Sequence, residues 1–428
     1  MDYEKALEWV HSLPRLAEHP GVENEKKLLE KLGNPEKSLK FVHIAGTNGK
    51  GSTTMMMSNI LKCAGYRVGA TISPYVLDFR ERFQINGEMI GKDVLAEVLT
   101  QVRKAVEALE NEGWDSMVEF DVVTAAALVW FAKEKCDIVC METGLGGRLD
   151  ATNAVENTLV VCITAIGKDH TELLGDTLEK IAREKCGIFK KGCTVVCYPE
   201  QEKEVIEVVQ EQAKQYHAPI RMPEQEDFYF YRGQPFENRV NYGGYDLNIA
   251  MPGKHQAYNA GVAIEIALAL CDKGFDISDE AIIEGIEETK FPARIEVFCK
   301  RPPLILDGMH NVQGAKALAS VLEQEKVKHL TLVIGVLHGK GEEKMLELLA
   351  PYADRCCTVT PDSPRAIPAQ ELAQTAKRYY RETAFFESVP QALRHAMQFA
   401  ENGLLICGSL YLAAEVRSLL EKTANTTV

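Results

Sequence analysis

Residues 43–54, HIAGTNGKGSTT, bring glycines, a lysine and several hydroxyl side chains together where a strand-like run gives way to a helix-like one. The common phosphate-loop pattern is a glycine, four residues, then Gly-Lys followed at once by Ser or Thr. In this chain Gly46 falls late and Gly51 separates Lys50 from Ser52. A strand, a glycine-dense turn and a helix N-terminus aim backbone N–H groups at one point, where the helix dipole adds partial positive charge. Gly46, Thr47, Asn48, Gly49, Lys50, Gly51, Ser52 and Thr53 are therefore expected to cradle phosphate. Glycine is needed because a Cβ would block the approach of phosphate oxygens. Lys50 supplies a point charge, and Ser52 or Thr53 a hydroxyl for Mg²⁺. A plain glycine-rich turn is the alternative, and the density of these features at one junction favours phosphate. The spacing sets the loop apart from common kinase and GTPase loops.

Two further residues qualify for a metal site. Glu142 ends the strand-like run DIVCMETG and precedes GLGGRLDATN, which reads as flexible. His170 follows another such run, in ITAIGKDHTELLG. Ligands collect at the carboxyl edge of parallel sheets, which gives both residues a reason to be near a phosphate. A lone histidine is also a common structural residue and a lone glutamate a common cap. Lys185, in REKCGIFKK, reads on residue chemistry as a solvated helix-face lysine.

The elements needed to place these groups alternate along the chain, which predicts an α/β protein with largely parallel sheets. LKFVHIA leads into the glycine loop, and STTMMMSNILKCAGY follows as a helix with Gly65 near its end. YRVGATIS is the next strand, and residues 92–113 have the apolar spacing of a helix. Asp176 with Glu179 predicts a capping box for the helix GDTLEKIAREKCGIFK. From Pro303 a new rhythm begins: PLILDG, helix, HLTLVIGV, helix, RCCTVT, helix, GLLICGS and a last helix. It predicts a smaller doubly wound unit, with the boundary placed between 296 and 297.

A chain of 428 residues is too long for one ordinary core. Its net charge of −14 disfavours nucleic acid and anionic membrane surfaces as partners. The N-terminus has no apolar core like that of a signal peptide, and the most apolar stretch, near residues 122–132, is too short to span a bilayer. A cytoplasmic protein is expected. The twelve cysteines are scattered, with pairs in CDIVC and CTVVC that read as buried free thiols and not as a zinc site.

Taken together, these segments resemble the folylpolyglutamate and dihydrofolate synthase family of the Mur-ligase superfamily. GTNGKGSTT matches the family's phosphate loop, additional glycine included. SPYVLDFRERFQINGEMI, ETGLGGRLDATN, ITAIGKDHTELLGDTLEKIAREKCGIFK, HQAYNAG, FPARIE, LDGMHN and GSLYLAAEVR match other segments in order, from about residue 32 almost to the C-terminus. The resemblance implies a P-loop Mur-ligase-type domain over residues 1–296 and a Rossmann-like domain over 297–428 that closes over nucleotide and glutamate. It implies an ATP-dependent amide ligase that phosphorylates a substrate carboxylate and passes it to the amino group of L-glutamate. Folate and dihydropteroate are the implied acceptors, and a monomer the implied assembly.

By the same resemblance, Lys50, His170 and Lys185 are catalytic, and Ser52, Ser73, Glu142 and His170 hold Mg²⁺, with K⁺ a further candidate cation. Lys185 falls on the family's carbamylated lysine. Arg82, Phe120, Asp121, Leu149, Asp150 and Ala151 fall at the acceptor, and Asn259, Arg294, Asp307 and His310 at the nucleotide. Some positions depart from the family pattern. Tyr75 stands where a histidine often follows Ser-Pro, and Asp121 where Phe is usually followed by Glu. Met309 and Val312 alter the LDGMHN block, and HGKG at 338–341 replaces a more acidic run. The first two leave acceptor preference open. A related ligase for a non-folate acid and a non-catalytic nucleotide-binding relative are the competing readings.

Overall fold

The computed structural model describes residues 1–15, 21–231 and 233–425. They divide into two compact units. The first takes Met1–Tyr229, Asn241–Leu247 and Tyr258–Thr289; the second takes Phe230–Val240, Asn248–Ala257 and the chain from Lys290 onward.

The first unit is built on eight strands: β1 Phe41–Ala45, β2 Val68–Thr71, β3 Gln84–Ile85, β4 Glu88–Met89, β5 Ile138–Glu142, β6 Thr158–Ile163, β7 Thr194–Cys197 and β8 Ile220–Arg221. Their spatial order is β4-β3-β2-β5-β1-β6-β7-β8. From β2 to β8 every neighbouring pair is parallel, and β3 and β4 add an antiparallel edge. All five residues of β1 are buried, the continuous burial of a central parallel strand covered on both faces. Because β1 lies between β5 and β6, the loops leaving these three strands share one edge.

The helix after the glycine loop, Lys50–Cys63, is buried from Gly51 through Ser58. It stops at Gly65, whose φ is +88°. Gly65 N bonds Lys62 O and Tyr66 N bonds Leu61 O, the paired bonds of a Schellman cap. The helix Leu178–Cys186 starts one residue later than a capping box at Asp176 requires. Thr177 is its N-cap and accepts from Lys180 N, whereas the Asp176 carboxylate pairs with Lys180 Nζ at 2.8 Å on the surface. A threonine in extended backbone offers the same cap as an aspartate, and position 177 has that conformation. The apolar stretch near 122–132 lies in the helix Glu119–Lys133, buried in the core with the helix Lys92–Asn111. No helix among the described residues is long and apolar enough to cross a membrane.

The main sheet of the second unit has six strands in the order Glu296–Lys300, Pro303–Leu306, Leu404–Cys407, Leu330–Ile334, Ala353–Thr358, Glu382–Phe385. The first pair is antiparallel and the rest are parallel. The rhythm read from Pro303 onward is present. It omitted Glu382–Phe385 and the helix Val389–Ala396, because ETAF is a half-exposed edge strand without a buried apolar run. All twelve cysteines are free thiols, and those of CDIVC and CTVVC are buried.

One core side chain violates the usual chemistry. Glu25, on the helix Glu23–Lys31, is fully buried, and neither carboxyl oxygen has a hydrogen-bond partner among the described residues. Burial holds its pKa well above the ordinary 4.5, with Asp121, Asp150 and Glu36 adding to the shift. A carboxyl that keeps its proton longer in the folded state stabilises fully below about pH 4.5, and that contribution is lost as pH rises through the raised value. Glu25→Met, which fills the space without the acid, is expected to raise Tm at pH 8 by about 2–6 °C. In thermal melts the gain should shrink as pH falls toward 5.

Candidate functional site

The site grows from the end of β1. Gly46 and Gly49 bracket the turn between β1 and its helix, with φ of +156° and +89°. A Cβ on Gly46 would come 1.8 Å from Thr164 Oγ1, and one on Gly49 2.6 Å from Asn259 Oδ1. Both positions therefore need glycine, for close approach and for backbone conformation. Thr47 N and Asn48 N bond Ala165 O at 2.9 and 3.1 Å. Thr47 Oγ1 donates to Gly167 O and accepts from Gly167 N. These two loop amides thus shape the turn by tying it to the segment after β6. Thr53 N is the first helical donor, bonding Gly49 O at 2.9 Å. The N–H groups of Lys50, Gly51 and Ser52 precede it, so no intrahelical carbonyl takes them and they suit an anion.

Three charged groups converge here. Lys50 Nζ lies 3.2 Å from Gly46 O, 3.4 Å from Thr47 O and 3.8 Å from Glu142 Oε1. Glu142 is the last residue of β5, in register with Ile44 of β1, and is only 5% exposed. Its other oxygen accepts from Ser73 N at 3.2 Å. Lys185 is not a solvated lysine. It is 4% exposed, and its Nζ donates to Gly46 O at 2.7 Å. Helix Leu178–Cys186 turns this residue inward, and sequence position alone could not reveal the carbonyl it meets 139 residues away. Burial, aided by the charge of Lys50, pushes its pKa down to about 7.

His170 occupies the loop after β6 in a left-handed conformation, φ +49°, just before the short helical turn Thr171–Leu174. Its backbone N bonds Asp169 Oδ1 at 2.8 Å, and its side chain is 36% exposed. Among the described residues no three His, Cys, Asp or Glu side chains gather as a metal cage. Ser52, Ser73, Glu142 and His170 instead offer hydroxyls, one carboxylate and one imidazole. Such a sparse, oxygen-rich set fits Mg²⁺, which draws most of its ligands from phosphate and water. Thr53 Oγ1, buried and without a hydrogen-bond partner among the described residues, adds a further hydroxyl in the same first turn.

A second cluster lies on the helix Glu119–Lys133 and the loop after β5. Arg82 is 9% exposed, paired with Glu119 at 3.3 Å, and stands 5.3 Å from the ring centres of both Tyr75 and Phe79. Arg82 was placed at the acceptor by resemblance, but its position between two aromatic rings had no signal in the sequence. The Phe120 ring lies against Gly144 so closely that a Cβ there would come within 2.5 Å. Asp121 accepts from Val118 N at 3.1 Å, and burial raises its pKa to about 6. Leu149 is exposed and Ala151 buried. Asp150 accepts from Leu145 N at 2.7 Å, Thr152 N at 3.1 Å and Thr152 Oγ1 at 2.5 Å, and burial pushes its pKa up.

The run 144–153 is therefore clamped and not loose. Arg148 N bonds Glu184 O at 2.8 Å, and Asn153 Nδ2 bonds Arg148 O and Gly187 O. Its glycines allow close approach to the helix of Lys185.

Asn259 is buried beside Gly49 in the first unit. Arg294, Asp307 and His310 belong to the second unit. Asp307, just past the strand Pro303–Leu306, accepts from Ile295 N and Met309 N, and burial raises its pKa. Arg294 Nη1 donates to Ala293 O, and its guanidinium lies 4.9 Å from the Phe291 ring centre. His310 Nδ1 lies 3.1 Å from Gly308 O.

Residues 44–267 match the Mur ligase middle domain, and residues 293–410 the Mur ligase glutamate ligase domain. The dihydrofolate synthase/folylpolyglutamate synthase of Bacillus subtilis (strain 168) is 34% identical over 430 residues, spanning 98% of this chain and 99% of that protein. Mycobacterium tuberculosis folylpolyglutamate synthase complexed with ADP and AMPPCP superposes with a TM-score of 0.88 at 28% identity, covering 98% and 99% of the two chains. Escherichia coli FolC in complex with DHPP and ADP gives 0.86 at 27% identity, covering 99% of each.

The close approach at Gly49 yields a direct test. Gly49→Ala, strained by its φ and by the Asn259 amide, is expected to raise the Kd for ATP about tenfold or more by isothermal titration calorimetry.

Proposed function

Because this chain belongs to the Mur ligase family, and within it to the folylpolyglutamate and dihydrofolate synthases, we propose that it joins L-glutamate to folate and to dihydropteroate with hydrolysis of ATP to ADP and phosphate. The observation that carries this reading is the convergence of Lys50 and Lys185 on the carbonyl of Gly46, with Glu142 beside Lys50 and open helix N-terminal amides next to them.

The chemistry follows from the residue types. A carboxylate is a poor electrophile, and its approach to a triphosphate brings like charges together. Lys50 and the N–H groups of Lys50, Gly51 and Ser52 hold the phosphates and offset that repulsion. Ser52, Ser73, Glu142 and His170 would hold Mg²⁺, which supplies charge neutralisation at the phosphates. The acceptor carboxylate oxygen attacks the γ-phosphorus, the bond to the bridging oxygen breaks, and ADP leaves. The glutamate amine then attacks the carbonyl carbon of the acyl phosphate, loses a proton and expels inorganic phosphate, leaving an amide. Arg82, Phe120, Asp121 and residues 149–151 form the acceptor side in this reading. Asn259, Arg294, Asp307 and His310 contribute nucleotide contacts. The functional division of the chain at 296/297 is part of the same proposal.

Lys185 has the properties a carbamate needs. Its lowered pKa leaves a large share of the amine neutral near pH 7. The nitrogen lone pair can add to CO₂ and release one proton, turning a buried cation into a carboxylate-like anion.

Purified protein with ATP, Mg²⁺ and glutamate is expected to add one glutamyl mass to dihydropteroate or to a reduced folate, with one ADP released per addition. Mass spectrometry that finds no glutamyl product on either acceptor sinks the proposal, and a product on a different acid redirects it. Lys185→Ala is expected to lower kcat by about 100-fold or more while the Kd for ATP changes less than about threefold. A ¹³C-carbamate resonance from labelled bicarbonate should appear in the wild type and vanish in that variant.

A further inference from the structure

The geometry points to a buried hydrogen-bond chain, His43–Thr152–Asp150, as the device that positions the loop of residues 144–152 against the strand leading into the phosphate loop. His43 is on β1, three residues before Gly46, and is fully buried. Its Nε2 lies 2.8 Å from Thr152 Oγ1, and that oxygen lies 2.5 Å from Asp150 Oδ1. A hydroxyl has one proton to give. Asp150 Oδ1, which also accepts from Thr152 N, takes it, so Thr152 accepts from His43, whose proton must sit on Nε2. Burial, with Lys190 nearby, pushes the His43 pKa down to about 3, so the ring stays neutral and the donor order is fixed.

An ordinary core position would not look like this. Among the described residues His43 Nδ1 has no hydrogen-bond partner although it is buried, a cost that an aliphatic residue such as the adjacent Val42 or Ile44 avoids. The ring's polar contact with Thr152 reaches 109 residues along the chain. At the other end, Asp150 Oδ2 receives Leu145 N and Oδ1 receives Thr152 N, which closes both ends of the loop on one carboxylate. The loop in turn reaches the helix of Lys185 through Arg148 N, and Lys185 returns to Gly46 of the turn that follows β1. His43 and Thr152 are positioning residues in this circuit: they fix the acceptor-side backbone relative to the atom that Lys50 and Lys185 share. The consequence for the reaction rests on the acceptor role proposed above for residues 149–151.

The test is Thr152→Val, which removes the hydroxyl and keeps the shape, with Thr152→Ser as the rescue. The valine variant is expected to raise KM for the pteroate or folate acceptor about 10-fold to 100-fold while KM for ATP stays within about twofold. The serine variant should restore the acceptor KM to within about threefold of wild type. A purely structural hydroxyl would lower Tm and the active fraction without separating the two KM values. Hydrogen exchange reads the chain without turnover: the amides of Leu145 and Thr152 should exchange faster in Thr152→Val than in the wild type. Unchanged exchange overturns the proposal whatever the acceptor proves to be, as does an unchanged acceptor KM in an active enzyme. If the wild type ligates no glutamate but exchange rises as expected, the functional reading fails and the positioning chain stands. Should Thr152→Val not fold, His43→Leu carries the same two readouts with the hydroxyl and the carboxylate both present.

Discussion

Two lysine side chains share one carbonyl. Lys50 and Lys185 both donate to Gly46 O, at 3.2 and 2.7 Å, with Lys185 buried and Lys50 partly so. Desolvation and mutual repulsion make two full charges there unfavourable, and the more buried group yields: Lys185 falls to about pKa 7 while Glu142 stands 3.8 Å from Lys50. The site thus holds one lysine beside a carboxylate and one buried lysine whose charged form is disfavoured. The sheet order, the glycines and the clamped loop all serve to bring these groups together.

The sheet does so by placing β1 between β5 and β6. A helix N-terminus, a carboxylate and a histidine loop then leave three adjacent strands on one edge, although they are far apart in sequence. Short connections could not achieve this, because each parallel neighbour requires a crossover. Gly46 meets Thr164 and Gly49 meets Asn259 so closely that the turn is built by contacts from outside it. Rigidity continues in residues 144–153, where Asp150 takes three donors and Asn153 two carbonyls. Pre-organised polar groups of this kind stabilise developing charge without reorganising at the moment of reaction.

What the sequence made legible follows the range of the forces involved. The long helices, the central strands and the glycine turn between a strand and a helix depend on local periodicity and turn chemistry, and they stand where expected. Glu142 was readable because a strand end fixes where a residue sits. Lys185 was readable only by family resemblance, since its chemistry comes from burial against a carbonyl that no helical pattern encodes. The looseness expected of GLGGRLDATN failed for a related reason: glycine permits mobility, but here it permits close contact, and distant partners decide which. Thr177 displaced Asp176 as a cap because two good capping residues stood side by side and backbone conformation chose between them. Nothing in the sequence tied His43 to Thr152, since the pairing exists only after β1 and the loop after β5 are assembled.

A chain of net charge −14 that handles polyanions must keep its negative charge away from them or hold it protonated. The buried acids lean toward the latter: Asp121 is raised to about 6 and Glu25 well above its ordinary value, each chiefly by desolvation. Desolvation also strips charge from Lys185, so the same dry environment moves acids and base alike toward their neutral forms. Fixed dipoles and Lys50 then dominate the field at the phosphate loop. In such a medium a donor that is already aimed is worth far more than a mobile charge. The carboxyl of Glu25 and the Nδ1 of His43, both without a partner among the described residues, are the stability cost of drying a region that must still hold polar groups in set positions.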